Sequence, residues 1–144
     1  MNPILEFFTS NIGKNAADIS PSHLGRWLNG KLIAVHEGSI EVEFVVREEM
    51  TNPVNILHGG AAASMMDDVM GMTVYMLGRE SFYTTVNLNI DYLSPARVGD
   101  TLLVKSKIIR AGKTVINIEC AIHSADHKIV AKCTSNMVLT GVKI

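Results

Sequence analysis

Two neighbouring carboxylates, Asp67 and Asp68, stand inside an apolar run, with Met65-Met66 before them and Val69-Met70 after. Aspartate is a poor residue for a helix interior, and an ionised carboxylate buried without a partner is strongly destabilising. Successive helix positions point ~100° apart, so the pair cannot share one direction. One enters a pocket; the other reaches solvent or caps a neighbouring group. Two readings stand for the one in the pocket. It is a structural carboxylate satisfied by backbone donors or a nearby lysine, or it is desolvated so that it takes up a proton near neutral pH.

Nine residues before Asp67, His58-Gly59-Gly60 opens the same run. Glycine permits close backbone approach. If a helix starts here, its first N–H groups have no intrahelical partner and offer donors to a carbonyl oxygen gaining negative charge. A glycine turn before a helix is common and says little alone. Combined with an aspartate further along an apolar helix it says more. Residues 58 and 67 then lie ~13 Å apart along the axis, too far to act on one carbonyl within a single chain. Two antiparallel helices related by a two-fold axis remove the difficulty, each lending its start to one site and its aspartate to the other. The spacing therefore predicts a dimer.

The elements that must position these groups are read from hydropathy. Residues 59–77 form the long helix, closed by Gly78. They are apolar nearly all round, so the helix must be covered on all faces. Ile40, Val42, Phe44 and Val46 alternate with polar residues and read as a half-buried strand, with 31–37 as hairpin partner and Glu37-Gly38-Ser39 as turn. Val86, Leu88, Ile90 and Tyr92 mark another strand. Residues 101–110 and 114–123 follow, joined by Ala111-Gly112-Lys113, and 127–139 complete the set. Residues 3–12 suit a short helix with Pro3 in its first turn and Gly13 past its end; a second helical segment is expected near 21–27. The expectation is an α+β domain: an antiparallel sheet folded around one helix.

Bulk composition narrows the function classes. The chain has 144 residues, 47% hydrophobic and 19% charged, with net charge −1. That suits one domain with a real core and supplies no global field for nucleic acid or an anionic membrane. Residues 56–77 have the length of a membrane span, but Asp67 and Asp68 would each cost about 2.5–3.5 kcal/mol there, so a buried helix is expected. The start of the chain lacks the basic and apolar regions of a signal peptide. Cys120 and Cys133 have no ligand-like spacing and read as small core residues of a reducing compartment, making the cytoplasm the expected location.

The stretch from Asn52 through His58-Gly59-Gly60 to Asp67 is followed by Thr85-Val86-Asn87-Leu88-Asn89-Ile90-Asp91-Tyr92-Leu93-Ser94-Pro95-Ala96 and then Gly99-Asp100. In this it resembles the hotdog-fold acyl-CoA thioesterases of the PaaI-like group. The resemblance covers roughly residues 30–140. Residues 1–29 match loosely and are taken as a short helical extension of a single domain, 1–144. The resemblance implies a hotdog fold that hydrolyses an acyl- or aryl-acyl-CoA thioester to a free acid and coenzyme A. It assigns Asp67 as general base or nucleophile and the Gly59 N–H as the donor polarising the thioester carbonyl. Asn52 is placed near that carbonyl, His58 organises the loop, and Thr85 helps hold the attacking water. It also implies an active dimer, often paired into a tetramer. Asp68 is less typical and is expected to share or perturb the titration of Asp67.

A thioester is already activated, so no metal or organic cofactor is expected. The coenzyme A phosphates call for positive charge, and Arg97, Lys105, Arg110 and Lys113 are the candidates, within a basic stretch that reads more readily as solvated strand faces. His123-Ser124-Ala125-Asp126-His127 falls on a turn and brings no third metal ligand. Five of the eight methionines lie between residues 65 and 76; they fill core or line an adaptable acyl tunnel. A hotdog dehydratase is disfavoured because Gly59-Gly60-Ala61 follows His58 where that chemistry uses H-x-x-x-x-G-x-x-P. The alternative to an enzyme is a non-catalytic acyl-CoA-binding or regulatory hotdog protein, which would leave the buried aspartate without a purpose. The acyl group itself stays open.

Overall fold

The computed structural model describes residues 2–144. Three short helices come first: α1 (Pro3–Ser10), α2 (Ala16–Ile19) and α3 (His23–Leu28). The strands β1 (Lys31–His36) and β2 (Ser39–Val45) form a hairpin, and a 3-10 turn at Glu48–Met50 leads to the long helix α4 (Gly59–Tyr75). Four strands complete the chain: β3 (Ser81–Tyr92), β4 (Thr101–Ala111), β5 (Val115–Ser124) and β6 (Ile129–Lys143). All six strands join one sheet in the order β1-β2-β4-β5-β6-β3, with every pairing antiparallel. This is the expected α+β arrangement of a sheet folded around one helix.

Alternation fixes which face of the sheet meets α4. Ile40, Val42 and Phe44 of β2 oppose Ser106, Val104 and Leu102 of β4, and all six are buried. The rows continue through Ile122 and Cys120 of β5 to Ala131 and Cys133 of β6. A one-residue slip would turn this whole set to solvent, so burial of one face specifies the register. Met65, Met66, Val69 and Met70 of α4 are fully buried against that face, each contributing roughly 1.5–3 kcal/mol of transfer free energy. Within this packing the buried Thr73 hydroxyl bonds the Val69 carbonyl at 2.8 Å and pairs with the Ser106 hydroxyl.

Three expectations change. β3 begins at Ser81, earlier than the alternation near Val86 indicates, because Ser81-Phe82-Tyr83-Thr84 has no period-two hydropathy and is drawn in by pairing with β6. Helix α2 was not expected; it is a single turn, held by an N–H from Ser20 to the Ala16 carbonyl at 2.8 Å, too short to leave a periodic signal. The helix α4 is not covered on every face within one chain. Gly60 and Tyr75 are exposed, and Gly59, Ala63, Ser64, Asp67 and Gly71 are half-buried. Small residues on that side leave a strip which sheet and loops do not fill.

The N-terminal helices lie over part of that strip. Asn2 caps α1 by accepting from the Leu5 N–H at 2.9 Å and donates to the Met76 carbonyl at 3.0 Å, tying α1 to the end of α4. Arg47 donates to the carbonyls of Leu28 at 3.1 Å and Trp27 at 2.5 Å, with its guanidinium 5.0 Å from the Trp27 ring centroid. That clamps the C-terminal end of α3.

Candidate active site

The start of α4 is built by a tight loop. Asn52 accepts at its side-chain oxygen from the N–H groups of Val54 at 3.1 Å and Ile56 at 3.3 Å. With its oxygen engaged, the Asn52 amide keeps two N–H donors for another group. His58 is the N-cap: its Nδ1 accepts from the Gly60 N–H at 2.8 Å. The imidazole is thus committed to shaping the turn. The Gly59 N–H is the first of the helix and donates to no backbone group among the described residues. Opposite it, Tyr92 donates its hydroxyl to the Gly59 carbonyl at 2.8 Å. A Cβ at Gly59 would lie 3.3 Å from the Tyr92 ring, so glycine there is a matter of close approach rather than of unusual torsion.

The loop carrying Ser94-Pro95-Ala96 buttresses this turn. The Leu57 N–H donates to the Ala96 carbonyl at 2.8 Å, and Ile56 bridges to Arg97. Asp100 accepts from the Arg97 N–H at 2.8 Å, and Gly99 takes a φ of 90°. The Gly99-Asp100 pair therefore closes the loop that holds the helix start.

Halfway along α4 lies the carboxylate. Thr85 donates its hydroxyl to Asp67 Oδ1 at 2.7 Å. The register of β3 against β6 shifts between Thr85 and Asn87, a bulge of the kind that re-aims side chains beside functional sites. The Cys133 thiol faces the same region. Burial, and then the Asp67 charge, push its pKa up to about 11, so it stays protonated and is no competing nucleophile.

Asp68 corrects an expectation. It does not turn out to open water: both aspartates line one cavity of about 910 Å³. The N-terminal helices cover the side of α4 on which Asp68 lies, and its Oδ2 would be 3.1 Å from a Cβ on Gly25 of α3. Burial, and then the neighbouring Asp67 charge, push Asp68 up to about 6. The rest of the cavity is mostly apolar, with Phe7, Phe8, Leu32, Phe44 and Met72 among its walls.

The structure thus gathers the expected residues into two groups. Asn52, His58 and Gly59 meet at the start of α4; Asp67 and Thr85 meet at its middle. Eight residues of helix, ~12 Å, separate Gly59 from Asp67. The basic candidates are dispersed. Arg97 lies beside the start of α4. Lys105 points from the sheet to Glu41 at 3.5 Å, and Arg110 lies five residues, ~17 Å, further along β4. Lys113 is in the β4–β5 turn, its carbonyl accepting from the Tyr83 hydroxyl at 2.5 Å. Tyr92 and the N-terminal cavity wall escaped the site prediction, since neither has a spacing signal relative to Asp67. Among the described residues no group of His, Cys, Asp and Glu is placed to hold a metal ion, and no helix is long and apolar enough to cross a membrane.

A six-stranded antiparallel sheet folded around one long helix is the arrangement of a hotdog fold. The model of the thioesterase superfamily matches residues 54–131. Acyl-coenzyme A thioesterase 13 of Homo sapiens is 30% identical over 110 residues, which are 76% of this chain and 74% of that protein. A hypothetical thioesterase from Streptococcus pneumoniae, solved with coenzyme A, superposes with a TM-score of 0.75 at 25% identity, covering 81% of this chain and 89% of that one. The E. coli PaaI protein of the phenylacetic acid degradation operon shares the fold with a TM-score of 0.83 at 22% identity, over 98% of this chain and 99% of that one. The chain belongs to the thioesterase superfamily, enzymes that hydrolyse thioesters.

Proposed function

We propose that this protein is an acyl-CoA thioesterase whose site is shared between two copies of the chain. One copy supplies the helix start, with the Gly59 N–H and the Asn52 amide as donors to the thioester oxygen. Its partner supplies a carboxylate and the acyl cavity. The observation that carries the reading is the hydrogen bond from Thr85 to Asp67 at the edge of a large, mostly apolar cavity.

The chemistry follows from these groups. Asp67 takes a proton from a water as that water's oxygen attacks the thioester carbonyl. The carbonyl oxygen gains negative charge and is met by the Gly59 N–H and Asn52. Collapse of the tetrahedral intermediate breaks the C–S bond; the coenzyme A thiolate leaves and is protonated, and the acid remains. Thr85 holds the carboxylate in place and offers its hydroxyl oxygen to the water. Arg97, beside the donor end, is the basic residue best placed for a coenzyme A phosphate.

Sharing is supported by the open edge of the sheet. Among the described residues β3 pairs only with β6, leaving a twelve-residue strand with Phe82 and Val86 47% and 61% exposed. Such an edge is a template for pairing with another chain. Pairing β3 to a second β3 would carry Thr85 and Asp67 of one copy towards the helix start of the other. Tetramers and a cytoplasmic location belong to the same reading.

The test is Asp67→Asn, an isostere that cannot accept the water's proton. Turnover on acyl-CoA, followed as free thiol, should fall by about 10²–10⁴-fold, the span of a lost general base, while the oligomer and melting temperature persist. Near-normal hydrolysis by the folded variant would remove Asp67 from this role.

A further inference from the structure

Gly71 is the anomaly of α4. It lies one turn beyond Asp67 on the same side of the helix, in the helix interior, where glycine is among the poorest formers. Its φ is not in the left-handed region, and a Cβ built on it would meet nothing within 4 Å. Neither torsion nor crowding therefore requires glycine, and alanine would serve the helix better. What the missing side chain leaves is room, and that room belongs to the cavity that Asp67 and Asp68 line.

The cavity has a direction. Its α4 wall runs from Asp67 past Gly71 and Met72 to Tyr75, ~12 Å by the helical rise. The opposite wall comes from the N-terminal helices, including Phe7, Phe8 and Leu24. These precede the sheet and the long helix in the chain, so a separate N-terminal segment builds this wall. At 910 Å³ the space stands at the upper end of the ~300–1,000 Å³ usual for ligand clefts.

We propose that this channel receives an unbranched acyl chain of medium length, and that Gly71 sets how long a chain is accepted. The inference rests on the thioesterase reading, which places the thioester carbon at Asp67. An extended alkyl chain advances ~1.25 Å per bond for ~1.5 Å single bonds at ~111°. The ~12 Å from Asp67 to Tyr75 then takes about ten carbons. A side chain at residue 71 would enter the channel about halfway, ~6 Å along, close to the fifth or sixth carbon.

The experiment is a profile of kcat/KM over straight-chain acyl-CoAs from butyryl to palmitoyl, read as thiol release, for the native chain, Gly71→Ala and Gly71→Leu. The native profile should peak near decanoyl. The ratio of decanoyl to butyryl should drop modestly in Gly71→Ala and at least tenfold in Gly71→Leu, with the oligomer unchanged by gel filtration. Identical profiles in all three would overturn the proposal. So would a uniform loss over all chain lengths with dissociation of the oligomer, which would assign the strip at Gly71 to a second copy of the chain. A separate arm needs no turnover: decanoic acid should raise the melting temperature of the native chain and not that of Gly71→Leu. If the native chain releases no thiol from any acyl-CoA, the thioesterase reading fails, and this arm alone decides the channel. A melting temperature unmoved by decanoic acid in both proteins would then overturn it.

Discussion

At the scale of single residues, the two adjacent aspartates have been given different work by what surrounds them. Asp67 is met by the Thr85 hydroxyl. Asp68 is enclosed against α3, and burial together with its neighbour's charge raises it to about 6 from an ordinary 3.8. The folded chain therefore holds that proton more tightly than the unfolded chain does. Between about pH 4 and pH 6 the folded state binds more protons, so its stability falls as pH rises through this window and stays lowered above it. Asp68→Asn removes the charge and keeps the shape. At pH 7.5 the variant should be more stable than the native chain, by up to about 3 kcal/mol for a rise of that size. The gap should close near pH 4. Denaturant melts at the two pH values decide the point; a variant that is less stable at pH 7.5 would mean that the ionised Asp68 is held by favourable contacts.

At the scale of elements, the N-terminal helices depend on a few attachments rather than on a broad interface. α3 is only six residues long, too short to persist alone, and Arg47 holds its C-terminal carbonyls. Arg47→Ala removes two charged hydrogen bonds and the contact with Trp27, which together should cost about 2 kcal/mol. If this clamp shapes the cavity wall, limited proteolysis of the variant should cut within residues 11–30 well before the sheet unfolds. A protease pattern and melting temperature matching those of the native chain would show that the wall is held by packing alone. Elements were also where the sequence was most legible. Period-two alternation located five of the six strands to within a few residues at each end, and α4 lies within the expected 59–77. What alternation could not find was the first third of β3, where Phe82, Tyr83 and Thr84 run together. That segment is exposed, buried and exposed again, but its hydropathy does not follow, because the apolar Phe82 is exposed and the buried residue, Tyr83, carries a polar hydroxyl.

At the scale of the whole molecule, the separation of Gly59 from Asp67 along one rigid helix is the controlling fact. No rearrangement short of breaking α4 brings them together, so the proposed chemistry requires a second chain. Subunit mixing tests this directly. Asn52→Ala alone should lose about 10²–10³-fold, the effect of removing one oxyanion donor, and Asp67→Asn should be nearly inactive. Co-refolding equal amounts of the two variants should restore about a quarter of native activity, since half the dimers are mixed and each mixed dimer has one intact site. Activity no higher than the sum of the separate variants would contradict a shared site.

By itself the sequence determined the α+β class, the order of the main elements and the place of a carboxylate inside an apolar helix. These are consequences of local periodicity and of the cost of burying charge, which any stretch of chain carries within itself. The resemblance over residues 52–100 then brought the thioesterase class within reach, because its loop and helix-start residues interact mainly with near neighbours in sequence. Tertiary structure decided the rest. It placed Asp68 in the cavity rather than in solvent, turned the loosely matching N-terminal part into a wall, and gave Gly71 an open space to face. A cavity is what packing leaves unfilled. It is bounded by residues far apart in the chain, from Pro3 to Ile144, and no periodicity within one segment records where its walls will meet.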